Sequence, residues 1–96
     1  MIKVWESDLS GTPASVDAEM ASVKSVGFSP DGTKIVAGGH NPSFIGGPIK
    51  VWDATSLNEL ESASSGALVL SVDFSPDGTK IASGHNDGTI KAWMRR

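Results

Sequence analysis

The chain has 96 residues, a formal net charge of −3, 20% charged and 6% aromatic residues, eleven glycines, five prolines and no cysteine. That length suits one small domain with a modest buried fraction, and the composition is turn-rich and globular rather than disordered. The negative balance, with basic residues scattered singly until Arg95-Arg96, argues against a nucleic-acid surface, and zero cysteines exclude disulfides, thiolate metal sites and a cysteine nucleophile.

Residues 2–5, Ile-Lys-Val-Trp, read as a strand of β-forming side chains with Lys3 on the opposite face. Their flank lacks the basic region and long apolar run of a secretory signal. The longest apolar run, Ala67-Leu68-Val69-Leu70, is far too short to cross a bilayer. A cytoplasmic location is therefore the default expectation. Residues 6–22 are weakly patterned, broken by Gly11, Thr12 and Pro13, and hold at most one short edge strand near Ala14–Val16.

Strand pattern returns at Val23–Phe28. Ser29-Pro30-Asp31-Gly32 then reads as a turn: proline presets one φ, aspartate tolerates the next position, and glycine takes a positive φ. Lys34–Ala37 leaves as the hairpin partner. A looser loop, His40–Pro48, precedes a strand at Ile49–Trp52, and Asp53–Ser56 turns into a further strand at Leu57–Ser62. The plan then repeats with Leu70–Phe74, the turn Ser75-Pro76-Asp77-Gly78, Lys80–Ser83, a tight His85-Asn86-Asp87-Gly88 turn and Thr89–Trp93. Asp-Gly between two strands is a strong hairpin signal. No window sustains a helical period.

Two words thus recur. Ser25–Ile35 and Ser71–Ile81 match almost letter for letter at an offset of 46 residues. Ile2-Lys3-Val4-Trp5, Ile49-Lys50-Val51-Trp52 and Ile90-Lys91-Ala92-Trp93 keep nearly the same beat. Such periodicity marks a repeat protein, here a partial repeat over 1–22, a first full repeat over 23–62 and a second over 63–96. Each repeat makes one antiparallel sheet. In the second, Leu70, Val72, Phe74, Ile81, Ala82, Ile90 and Trp93 are too many apolar residues for one face, and a sheet buried on both faces needs a neighbour on each side.

These words resemble the WD-repeat β-propellers: Ser-Val-Asp-Phe-Ser-Pro-Asp-Gly-Thr, Ala82-Ser83-Gly84, Asn86–Trp93 and Val51-Trp52-Asp53. The resemblance covers residues 23–93 and the isolated word 2–5. It implies an all-β fold of four-stranded antiparallel blades, about two per chain, in a ring completed by other chains. Rings of that family commonly have about seven blades. Three or four copies of this chain would make six or eight, and identical pairs cannot make seven. The resemblance also implies structural roles for Phe28, Asp31, Gly32, Trp52, Asp53, Phe74, Asp77, Gly78, Ser83, Asp87 and Trp93, with Ser83, Asp87 and Trp93 as remnants of the family's buried Asp-His-Ser/Thr-Trp network. The chain departs from the pattern where Glu6 and Met94 follow tryptophan, where Glu19 and Ser65 stand near the expected histidines, and where Ala37 replaces the serine. Those departures predict weaker blades than the family's norm.

His40 and His85 precede third strands in both copies. They are expected either as turn-capping or solvated histidines or, around a ring mouth, as ligands for a metal or anion. With Asn41, Phe44 and Ile45 they form a candidate partner-binding loop, since an exposed aromatic on a rigid scaffold suits a protein contact. Phe44 packing back onto its own blade is the alternative. Asp31 and Asp77 are turn residues that duplication explains, and no catalytic spacing orders a nucleophile with a base. The expectation is a non-enzymatic protein–protein interaction scaffold without cofactor or metal, self-associating as three or four chains. The alternatives are a structural building block or propeller fragment with no ligand of its own, and a ligand- or metal-binding ring using the two histidines.

Overall fold

The computed structural model describes residues 2–4, 14–17, 20, 22–41 and 47–94, and among them nine strands form three antiparallel sheets. Sheet I pairs β1 (Ile2–Val4) with β2 (Ala14–Val16). Sheet II runs β3 (Ser22–Phe28), β4 (Lys34–His40), β5 (Pro48–Asp53) and β6 (Glu59–Ser64) in chain order. Sheet III holds β7 (Val69–Phe74), β8 (Lys80–His85) and β9 (Ile90–Met94). The strands run as the alternation and turn chemistry predict, and no helix occurs among the described residues. β6 starts at Glu59 rather than Leu57 because Leu57 closes the preceding turn at φ 60° and donates its N–H to the Asp53 carbonyl. The weak 14–16 signal is a paired strand, and its partner is the Ile2-Lys3-Val4 word: Ile2 faces Val16, Lys3 faces Ser15 and Val4 faces Ala14. Among the described residues, sheet I thus consists of a third and a fourth strand.

The two Ser-Pro-Asp-Gly turns are built alike. Gly32 and Gly78 take φ of 75° and 74°, and each donates its N–H to the serine carbonyl three residues back at 2.9 Å. The Asp31 carboxylate accepts from the Ser29 hydroxyl at 2.6 Å, the Thr33 hydroxyl at 2.7 Å and the Thr33 amide at 3.0 Å. Asp77 repeats the set with Ser75 and Thr79. These donors favour the ionised form, so both carboxyls are held well below the ordinary value of 3.8, most by the serine hydroxyl.

The sheets stack face to face. Each has a leading face, toward the sheet before it, and a trailing face, toward the sheet after it. The main core lies between sheets II and III, where Val36, Ile49 and Val51 meet Val69, Val72, Phe74, Ile81 and Trp93. A smaller core lies between sheets I and II, where Ile2, Val16 and Met20 meet Val23, Ala37 and Trp52.

Candidate functional site

Phe28, Phe74 and the three isoleucines of the Ile-Lys word define the site by contrast. On the leading face of sheet III, Val72 and Phe74 are 5% and 7% exposed because sheet II covers them. Their counterparts on the leading face of sheet II, Val26 and Phe28, are 52% and 56% exposed. Sheet I reaches only the outer half of that face, leaving a hollow of about 100 Å³ lined by Ile2, Val4, Val26, Phe28 and Ile35 among others. On the trailing side, Ile49 is 4% exposed inside the main core, whereas its counterpart Ile90 is 82% exposed. Ala82, Ala92 and Met94 share that open face. β9 pairs with β8 on one edge and, among the described residues, with nothing on the other. Beside that bare edge runs a groove of about 560 Å³, walled by Ile49, Val51 and the Glu61-Ser62-Ala63 run of sheet II and by Ile81, Trp93 and Met94 of sheet III. An unpaired strand edge and apolar sheet faces of this kind are association surfaces.

The intersheet contact is also close and directional. The Ser25 hydroxyl accepts the Val72 amide at 3.2 Å and lies 3.5 Å from the Val72 carbonyl, which it is placed to serve as donor. Gly38 has no room for a side chain: a Cβ there would stand 2.5 Å from a methyl of Val69 and 2.8 Å from one of Val72. Its counterpart Gly84 faces open space. Gly47 lies where the Gly39 carbonyl, the Val69 amide and the Ala67 carbonyl converge, each within 2.8 Å of where a Cβ would be.

The polar residues sort differently from expectation. His85 is the last residue of β8, not a loop residue, and only 5% exposed. Its Nε2 lies 2.8 Å from the Ser83 hydroxyl, which accepts the Trp93 indole N–H at 2.8 Å, so buried histidine and serine and half-buried tryptophan form one hydrogen-bonded chain. Burial corrects the solvated reading of His85; its Nε2 is engaged by Ser83, and its Nδ1 is buried without a hydrogen-bond partner among the described residues. The pairing with His40 is also corrected. By register β7 places His85 opposite Val69, and β3 places Gly39, not His40, opposite the counterpart Val23. A side chain at Gly39 would strike the Ser22 carbonyl. His40 itself ends β4, half-buried beside Asn41.

Asp87 is not part of the buried network. It accepts from the Thr89 hydroxyl at 2.6 Å and the Thr89 amide at 3.0 Å in its exposed turn, and these bonds hold its carboxyl below the ordinary value. Asp53 likewise caps its own turn, accepting the Thr55 and Ser56 amides at 2.8 and 2.9 Å, the latter bond lowering its carboxyl most. In sheet II the network is replaced by apolar packing: Ala37 fills the serine's place, and Trp52 is buried against it and Ile2. Ser65, near a position where the resemblance called for histidine, is buried within hydrogen-bonding distance of the Ala67 and Gly47 carbonyls, at 2.6 and 2.9 Å. Phe44, Ile45, Trp5 and Glu19 lie outside the described residues. Among those described, no cluster of three or more His, Asp or Glu side chains is placed to hold a metal, and no helix is long and apolar enough to cross a membrane.

Consecutive antiparallel sheets of two, four and three strands, stacked face to face, with a Ser-Pro-Asp-Gly hairpin inside each of the last two, define β-propeller blades. The family model described as "WD domain, G-beta repeat" matches residues 13–44 and 54–94, more than half of the sequence, and the chain belongs to that WD40 family. No curated protein matches the chain in sequence. Among solved structures, the crystal structure of the computationally designed Ika4 protein is similar, with a TM-score of 0.75 and 26% identity over 98% of this chain and 54% of that one. The chain thus spans about half the length of that relative.

Proposed function

We propose that the chain is a non-enzymatic protein–protein interaction module that associates with further copies of itself to close a ring of WD40 blades. One observation carries the reading: residues that the chain buries at its own blade–blade interface stand exposed, at equivalent positions, on its two outer faces. Phe28 presents what Phe74 buries, and Ile90 presents what Ile49 buries. The outer faces are therefore the two halves of an interface the chain already forms once. A surface that repeats its own complement on opposite sides makes head-to-tail contacts, which close into rings when the rotation allows. With two blades per chain, three or four copies suit the ring sizes of this architecture.

Mass by light scattering tests this. A particle of three or four chains is the expected result. A particle the size of one chain at all concentrations where the fold is intact would contradict it.

A further inference from the structure

The described residues form nine strands, one more than two four-stranded blades use. Among the described residues there are three third-strand segments, β1, β5 and β9, and two fourth strands, β2 and β6. β1 and β9 carry the same word, Ile-Lys-Val-Trp and Ile-Lys-Ala-Trp. Their isoleucines differ sharply in surroundings. Ile2 is buried against Ala37 and Trp52, and Ile90 is open to solvent.

Resting on the self-association reading above, we infer that β1 and β9 are alternative occupants of one seat. When two copies join, β9 of one chain replaces β1 of the next. It pairs with that chain's β2 in the register β1 uses, so that Ile90 faces Val16, Lys91 faces Ser15 and Ala92 faces Ala14. Ile90 then stands on Ala37 and Trp52, where Ile2 stands in the free chain. β1 is thus an internal cap, which covers part of the docking face until a second copy displaces it.

Four features of the free chain support this exchange. The bare edge of β9 borders the groove beside Glu61–Ala63, which is the place of a fourth strand in sheet III. β2 of an incoming copy fills that groove while remaining next to its own sheet II. The inner half of the sheet II leading face, with Val26 and Phe28, is left open by sheet I and would be covered by β7 and β8 of the arriving chain. Ser71 is exposed and is the counterpart of Ser25, whose hydroxyl holds the Val72 backbone; across copies it would hold the Val26 backbone in the same way. Gly84 is free of neighbours where its counterpart Gly38 is tightly packed, so room for the next blade is already present. With β1 displaced, the described strands of each copy number eight, enough for two four-stranded blades. Strand pairing is exchanged one for one, so burial of the open faces, rather than new backbone hydrogen bonds, drives the change.

The chain has no cysteine, which makes disulfide trapping clean. Ser15→Cys with Lys91→Cys places thiols on strands paired only after exchange, at a spacing that antiparallel neighbours allow. Lys91 donates to the Ser65 carbonyl, so Ala14→Cys with Ala92→Cys serves as a second pair that disturbs no such bond. Lys3→Cys with Ser15→Cys reports the capped state. Under oxidation at a concentration where the chain associates, the first two pairs are expected to give chain-to-chain ladders on a non-reducing gel, and the third to lose its within-chain bond. Ile2→Ser, which loosens the cap, is expected to lower the concentration for half-assembly about tenfold, and Ile90→Ser to raise it by a similar factor. Ladders absent from both exchange pairs, or Ile2→Ser weakening assembly, would overturn the exchange. If that happens while light scattering still gives several chains per particle, the ring reading survives without it; a one-chain particle removes both.

Discussion

Gly38 and Gly84 occupy the same place in two copies of one sequence unit, and they live in different worlds. Around Gly38 the next blade has closed to within van der Waals distance; around Gly84 there is nothing. The same contrast separates Phe74 from Phe28 and Ile49 from Ile90. Local sequence therefore does not decide burial in this chain. What decides it is whether a neighbouring sheet is present, which is the physics of a stacked array, where each unit buries its apolar faces only against the next. The lesson is that an exposed hydrophobe at a repeat-equivalent position marks an unmet partner rather than a tolerated surface residue.

The contrast breaks most visibly at the glycines. Gly38→Val should destabilise the chain by about 3 kcal/mol, since the added methyls meet Val69 and Val72 with little space to yield. Gly84→Val should change the stability of the isolated chain by no more than about 0.5 kcal/mol. Chemical denaturation of the two variants at low protein concentration measures the difference, and equal losses would mean that the sheets do not pack as described.

The equivalent places of Ser83 and Ala37 in the two blades give the next contrast. Ser83→Ala leaves the Trp93 indole N–H and the His85 ring without their shared partner and should cost about 2 kcal/mol. In the other blade the same place is already alanine, and Trp52 is held by apolar contacts. Tryptophan emission should accordingly shift on unfolding in both blades, while Ser83→Ala perturbs only the half that contains Trp93. A variant as stable as the parent would show that the Ser83 link contributes nothing.

The turns should show no contrast at all. Asp31 and Asp77 have the same donors at nearly the same distances, so Asp31→Ala and Asp77→Ala should lower the melting temperature equally. They also set the acid response. The carboxyls of Asp31, Asp53, Asp77 and Asp87 are held below their ordinary value of 3.8 in the fold. The unfolded chain therefore binds their protons first as pH falls, and the stability they contribute is present above about pH 4 and lost progressively below it. Thermal melts between pH 7 and 2 should show that decline, and Asp31→Asn with Asp77→Asn should flatten it.

Much of this was legible in the residues. The repeated Ser-Pro-Asp-Gly words gave the hairpins because their turn chemistry is local: each carboxylate bonds its own neighbours. The Ile-Lys-Val-Trp words read as strands because β-branched and aromatic side chains alternate with lysine along them. The role of His85 was not legible because the Asn86-Asp87-Gly88 turn signal drew the histidine into the turn; β8 instead runs to His85, which puts it two residues from Ser83 on the same face. Asp87 misled in the opposite sense: its spacing suited the buried network, but Thr89, two residues on, offers it nearer donors. The pairing of Ala14–Val16 with Ile2–Val4 was hidden because three-residue strands carry little periodic signal. Nor did the residues announce which face would be bare, since Ile2, Ile49 and Ile90 are one word in three settings.

The most direct test of the central claim sets the parent chain beside Gly84→Val in sedimentation velocity at matched concentrations. The parent should sediment as a particle of three or four chains and the variant as one folded chain, since the added side chain would block the open trailing face without touching the interior. Equal assembly of the two proteins, or a parent that remains a single folded chain, would contradict the account.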